Sequence, residues 1–308
     1  MFVTNPGLIQ DWTGDEPSPA PLVLIHDGGG TTFSYHLLGS LGRPVYGIAN
    51  PNFYSGEAWE GGLPDMARHY ARLVRCVIPK GPVILGGWSL GGLVSLQIAH
   101  EVLATSNAGT AYDDEDDPLR ILGIVMIDTG YPKAHFEPPP GTPIVPPANV
   151  WADETRPETR AAVTRCFQDS IRMLQMWTPP VWAADDNSHP SSVRSVTEGT
   201  VDGSNEEMRP VKAKPPPTYL LRASDYVPGA TSPGITMIDL SRQDPLLGWG
   251  QYSKDLIIKV EDIPGHHFSV FATDHIDAVT EKLKNACNEI ELRATQYSQL
   301  AHHDIHHV

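Results

Sequence analysis

The sequence predicts an α/β fold: a mostly parallel sheet flanked by helices, with one long insertion. Three observations predict it. Apolar runs of strand length alternate with segments of helical period from residue 22 to 127 and again from 219 to 288. Ile121-Leu-Gly-Ile-Val-Met-Ile127 is apolar throughout, as a strand buried on both faces is. Pro82-Val-Ile-Leu-Gly-Gly-Trp-Ser-Leu-Gly-Gly92 passes from an apolar strand, through a serine set between glycines, directly into a helix-like segment. A chain of 308 residues has room for one large domain with a sizeable core. We expect residues 1–131 and 218–308 to form that core and 132–217 to be the insertion.

In chain order, residues 1–20 are polar and proline-bearing, with one short strand expected at Phe2 to Thr4. Leu22 to Ile25 reads as a strand that breaks into His26-Asp-Gly-Gly-Gly-Thr-Thr32. A glycine-rich turn after a strand leaves its amides free to face a ligand. No Gly-Lys-Ser/Thr follows, so the phosphate-loop pattern is incomplete. Pro44 to Ala49 is the next strand, and Met66, Tyr70, Leu73, Val74 and Val77 recur at helical spacing over Leu63 to Pro79. Val83-Ile-Leu85 then reads as a buried strand, and Val94, Ile98 and Val102 as one face of the helix after the serine.

Gly87-Trp-Ser-Leu-Gly91 between that strand and helix has the setting of a nucleophile elbow. A serine that attacks a carbonyl must stand clear of the backbone, and a sharp strand-to-helix turn lifts its hydroxyl above the sheet edge. Such a turn leaves no room for a Cβ two residues to either side, hence the glycines. Ser89 is the candidate nucleophile. The Leu90 amide, at the helix start, points where negative charge develops on the substrate oxygen. The His26 loop precedes this strand, where the second oxyanion donor of an α/β-hydrolase is expected.

Ile121 to Ile127 ends in Asp128, a carboxylate at the same sheet edge as the serine, since parallel strands all end on one side. From Pro132 to Pro217 prolines crowd in, and one helix carries Val163, Phe167, Ile171 and Leu174 on one face. Trp151, Trp177, Trp182, Met173 and Met176 add bulk that reads as exposed. An insertion at the catalytic edge with too few strands for its own core is expected to be a lid. Ser191 to Glu207 is polar and reads as disordered. Tyr219 to Arg222 is a further strand, and Asp225 just after it is a rival acid on topology. Leu256 to Ile263 is the last strand, leading into Pro264-Gly-His-His-Phe-Ser269, so either His266 or His267 is placed to serve as general base. Ile276 to Asn288 closes the chain as an amphipathic helix, and His302 to His307 reads as a frayed tail.

A formal charge of −15 disfavours nucleic acid and anionic membranes as partners. Cys76, Cys166 and Cys287 are far apart and odd in number, which suggests a reducing compartment without a disulfide framework. The Met-Phe-Val-Thr-Asn-Pro start lacks a leader pattern and no apolar run approaches about 18 residues, so a soluble, cytoplasmic protein is expected. Asp113-Asp-Glu-Asp-Asp117 reads as solvated loop, and no metal is expected.

These motifs together resemble the type I thioesterase domains of polyketide and nonribosomal peptide synthases, particularly fungal ones, and more distantly animal fatty-acid synthase thioesterases. The likeness runs over most of Leu22 to Leu283. It is carried by Val-Leu-Ile-His-Asp-Gly-Gly-Gly-Thr, Gly-Gly-Trp-Ser-Leu-Gly-Gly, Val-Met-Ile-Asp-Thr-Gly-Tyr-Pro, Gly248-Trp-Gly-Gln-Tyr252 and Gly-His-His-Phe-Ser. The resemblance implies an α/β-hydrolase fold with the lid between the Asp128 and Tyr219 strands. It favours Asp128 over Asp225 as the acid, His267 over His266 as the base, and Gly28 as the second oxyanion amide beside Leu90. The chain departs from the pattern in its longer acidic connection before Asp128 and in the histidine at 266, which keeps His266 as the alternative base.

The implied activity is release of an acyl chain, polyketide or peptidyl, from the phosphopantetheine thioester of a carrier protein. An acyl-Ser89 intermediate would be resolved by water or by a nucleophile within the substrate. No cofactor is implied. No carrier domain is recognisable in the chain, so an acyl or peptidyl carrier protein is expected upstream in a larger synthase or in trans. The alternatives are a carboxylesterase or acyltransferase acting on free esters and, in another class, a non-catalytic small-molecule binding protein on a hydrolase scaffold.

Overall fold

Seven strands form the sheet of the computed structural model, which describes residues 4–106, 118–133, 138, 140–148, 155–182, 213–231 and 233–305. They are β1 Gly7–Gln10, β2 Leu22–Ile25, β3 Val45–Ile48, β4 Gly81–Trp88, β5 Leu119–Ile127, β6 Thr218–Ala223 and β7 Ile257–Ile263. Their order is β1-β3-β2-β4-β5-β6-β7. Only β1 is antiparallel, pairing with β3, and the strands from β3 to β7 are parallel. The expected α/β fold is therefore the observed one. The first strand lies at Gly7–Gln10 instead of ending at Thr4, because Leu8 pairs with Tyr46 on the β3 edge. Residues 1–3 lie outside the described set.

Alternation along each central strand divides the core in two. Val23, Ile25, Val83, Leu85, Ile124 and Met126 face α1 (Gly62–Val77) and α2 (Leu90–Ser106). Leu22, Leu24, Ile84, Val125 and Ile127 face the opposite side, where α4 (Ile276–Ile305) supplies Val279, Leu283, Ala286 and Ile290. The helix following the serine was expected to bury one face. Instead every residue from Gly91 to His100 is buried, because the sheet, α1 and the segment around Trp177 and Trp182 surround it. The last helix also runs beyond Asn288 to Ile305, so His302 and His303 are helical and not a frayed tail. Glu289, Glu291, Leu292, Arg293 and Ala294, all good helix formers, carry the helix past Asn288. His306 and His307 are outside the described residues.

The insertion carries helix α3 (Pro157–Met176). Residues 143–148 pair with the β6–β7 connection: Val145 N–H donates to Ile235 O at 3.0 Å and Ala148 N–H to Pro228 O at 2.8 Å. Met173 and Trp177, expected to be exposed, are buried, and the Trp177 indole donates to Gln97 Oε1 at 2.9 Å. Met176 is exposed as expected. Trp151, His135, the Asp113 to Asp117 run and Ser191 to Glu207 lie outside the described residues. Among the described residues no helix is long and apolar enough to cross a membrane. All three cysteines are free thiols.

Candidate active site

The turn between β4 and α2 holds Ser89 at φ +56°, the left-handed region that an L residue adopts only when its surroundings impose it. The neighbouring glycines explain how the turn closes. A Cβ on Gly87 would stand 2.7 Å from the Gly91 backbone, and one on Gly91 would stand 2.3 Å from the Ile25 carbonyl oxygen. No backbone atom there can give way. Gly91→Ala is expected to cost at least about 2 kcal/mol and lower Tm by roughly 5 °C, read by thermal unfolding. Tyr35 pins the turn from below, donating to Ile25 O at 2.6 Å and accepting from Trp88 N–H at 2.9 Å.

Asp128 follows β5 at φ +46° and His267 lies in the turn after β7. The structure brings both to Ser89. His267 Nδ1 is 2.8 Å from Asp128 Oδ2, and His267 Nε2 is 3.1 Å from Ser89 Oγ. With Asp128 ionised, Nδ1 carries the ring proton, and Nε2 is free to accept the serine proton. The Trp88 ring lies 5.5 Å from the imidazole, tilted by 41°. The two rivals lie elsewhere. His266 makes its contacts within its own turn, its N–H donating to Ser269 Oγ at 2.9 Å, and burial lowers its pKa. Asp225 is exposed, with its backbone N–H on Gly265 O.

Two residues absent from the sequence-based expectations complete the network. Arg242, in the β6–β7 connection, grips Asp128 with both arms of its guanidinium, Nη1 to Oδ1 at 2.5 Å and Nη2 to Oδ2 at 2.8 Å. Its Nε donates to Asp239 Oδ1 at 3.0 Å. Asp239 in turn accepts from Val227 N–H at 2.7 Å and Thr236 Oγ–H at 2.9 Å. Asp128 Oδ1 also accepts Ala223 N–H at 2.9 Å. Burial alone would raise the Asp128 carboxyl, but hydrogen bonds from Arg242 and His267 outweigh it and hold the group well below the usual carboxylate range. In the sequence, the Asp239 and Arg242 pair shows only as opposite charges three apart, the commonest of surface patterns.

Ser89, Asp128, His267, Leu90 and Gly28 all line one cavity of about 590 Å³. Gly28 comes to this cavity from the loop after β2 and Leu90 from the start of α2. A Cβ on Gly28 would stand 2.8 Å from the Phe167 ring of α3, which would have to shift to admit it. Phe167, Ile171 and Leu174 of α3 form one wall, residues 144–147 a second and Met237 and Ile238 a third. His26, beside this loop, is a structural residue: its Nε2 lies 2.7 Å from Tyr70 Oη, and burial pushes its pKa down to about 4. Among the described residues no group of three or more His, Cys, Asp or Glu is placed to hold a metal.

Residues 22–281 match the model of the alpha/beta hydrolase family. The chain is 32% identical to thioesterase frbE of Dothideomycetidae sp. (strain 11243), over 94% of this chain and 98% of that protein. It is also 32% identical to a segment of the nonribosomal peptide synthetase imqB of Aspergillus flavus, covering 94% of this chain and 8% of that protein. Its fold is similar to that of the NocB thioesterase domain from the nocardicin cluster, with a TM-score of 0.56, 21% identity and coverage of 88% of this chain and 95% of that one. With a serine turn, sheet order and family match that agree over most of its length, the chain belongs to the alpha/beta hydrolase family.

Proposed function

We propose that this protein is a serine thioesterase that releases an acyl chain from the phosphopantetheine thioester of a carrier protein. The observation that carries the reading is the unbroken line Asp128–His267–Ser89 opening into the cavity. Ser89 Oγ gives its proton to His267 Nε2 as it bonds to the thioester carbonyl carbon. The oxyanion that forms is held by the Leu90 and Gly28 amides, and Asp128 stabilises the imidazolium. The carbon–sulfur bond breaks as the intermediate collapses, and the His267 imidazolium gives its proton to the departing pantetheine sulfur, which needs little such help since a thiol is far more acidic than an alcohol; His267 is thereby neutral again. His267 then deprotonates water, or a nucleophile within the acyl chain, which attacks the acyl-Ser89 ester. Arg242, braced by Asp239, is a positioning residue for Asp128. Residues 132–217, with α3 and the 143–148 strap, act as the lid over a core made of 1–131 and 218–308. The likeness to a segment of a nonribosomal peptide synthetase supports an acyl or peptidyl carrier protein as partner, and the same reading puts the enzyme in the cytoplasm with no cofactor of its own.

Two measurements test this. Intact mass after incubation with a fluorophosphonate shows one adduct on the wild type and none on Ser89→Ala; an adduct that persists in the variant removes Ser89 as nucleophile. An acyl-N-acetylcysteamine thioester is turned over faster than its matching oxyester, and the reverse preference assigns the enzyme to the carboxylesterases.

A further inference from the structure

The cavity wall shows what the enzyme accepts next to the thioester. Six polar side chains line it, Ser89, Asp128, Ser170, Thr236, Arg242 and His267, and each is already hydrogen-bonded within the protein, with four of the five Arg242 N–H groups given to Asp128, Asp239 and Ala223 O. Ser170 Oγ–H donates to Cys166 O at 2.7 Å, and Thr236 Oγ–H to Asp239 Oδ2 at 2.9 Å. Arg242 is committed to Asp128, to Asp239 and to Ala223 O, where Nη1 donates at 3.0 Å. Pro132, Pro146 and Pro147 add lining surface without an N–H, and the Val145 amide is tied to Ile235 O. The rest of the described wall is aliphatic, aromatic or thioether: Leu93, Ile144, Phe167, Leu174, Met237 and Leu247 among them. Besides the oxyanion amides and one Nη2 hydrogen of Arg242, the described side chains of the wall offer a substrate carbonyl no donor, and an ionised group no counter-charge that is not already paired.

A buried carbonyl or charge left without a partner loses its hydration and regains nothing, whereas a methylene gains on transfer. We propose that the acyl segment adjoining the reacting carbonyl is hydrocarbon-like, meaning alkyl, alkenyl or aryl, and carries neither an amide nor a charge. The proposal rests on the reading of Ser89 as nucleophile in a thioesterase and narrows its substrate from acyl chains in general to fatty or fully reduced polyketide ones rather than peptidyl or keto-bearing ones. A volume of about 590 Å³ lies inside the roughly 300–1,000 Å³ range of sites that enclose a whole drug-sized group, so the selectivity extends well past the first few carbons.

The test compares three fluorophosphonates of equal chain length: a plain eight-atom alkyl chain, the same chain with an amide at its third and fourth atoms, and the same chain ending in a carboxylate. Ser89 labelling is followed by intact mass, and second-order rates are compared. The alkyl probe is expected to label about 10- to 100-fold faster than either polar one. Met237, already 42% exposed, can take a polar replacement, and Met237→Gln is expected to narrow the gap between alkyl and amide probes at least about threefold by adding a donor to the wall. Equal or faster labelling by the amide probe overturns the proposal, as does a wild-type gap that Met237→Gln leaves unchanged in a folded variant. If that variant does not fold, the wild-type ratio alone decides. The labelling ratio is independent of thioester turnover. Alkyl preference without hydrolysis of octanoyl-N-acetylcysteamine would sink the thioesterase reading and leave the chamber's selectivity standing, while failure of every probe to label Ser89 overturns both.

Discussion

Asp128→Asn lowers kcat on a thioester substrate by about 10³- to 10⁴-fold, while Asp225→Asn leaves it within about twofold. The contrast follows from where the two carboxylates stand. Asp128 Oδ2 meets His267 Nδ1 at 2.8 Å in a site from which solvent is almost excluded, its side chain being 0% exposed. An asparagine there keeps the shape but no longer requires the proton at Nδ1. The imidazole then turns an N–H toward Ser89, and the base is lost. Asp225 is exposed on the loop after β6, tied there by its backbone to Gly265 O at 2.9 Å. Steady-state kinetics on both variants, with thermal unfolding to check that each is folded, decides between them. A large loss in Asp225→Asn with little in Asp128→Asn would transfer the acid to residue 225.

Arg242→Met is expected to destabilise the fold by about 3–5 kcal/mol and to lower Tm by roughly 10 °C, because it leaves Asp128 and Asp239 buried without their common cation. A structural loss alone would stop there. The positioning role adds a change in the pH profile. In the wild type, Asp128 has a folded-state pKa below the ~3.9 of an unfolded chain, so the stability it contributes is complete above that pH and is lost as pH falls through the folded value. Without Arg242, burial is opposed mainly by His267, the folded-state pKa rises, and acid destabilisation begins at a higher pH. The acid limb of kcat/KM is expected to move up as well. Arg242→Lys retains the charge but not the fork that matches a carboxylate. It is expected to keep most of the stability and lose about 10²-fold in kcat, the effect of a misaligned base. A pH profile unchanged in both variants would make Arg242 a structural brace only.

How legible the site was in the sequence depends on the distance over which each feature is encoded. The serine turn was fully legible, because its constraint is local: Gly87 and Gly91 are demanded by atoms of the turn itself and of the adjacent β2. Strands and helices were legible for the same reason, since β4 is a continuous apolar run buried on both faces and buried positions recur near every 3.6 residues along α1. Helix α2 was underestimated because it is buried on every side, and the last helix because the apolar period that marks its start fades after Ile290, with Leu292 and Tyr297 exposed. Met173 and Trp177 were placed outside because composition alone does not show which way an insertion helix rolls.

The sequence by itself determined the α/β architecture, the family and the serine at its centre, since each of these is written in short-range spacing and turn sterics. Only the tertiary structure decided which aspartate and which of two adjacent histidines meet that serine, that Arg242 grips that aspartate, and that the polar side chains lining the chamber, among the described residues, already have partners within the protein. Those contacts join residues 139, 178 and 114 positions apart. No periodicity spans such separations; they exist because parallel strands deliver their ends to one edge, where the folded backbone selects among side chains that look equivalent along the chain.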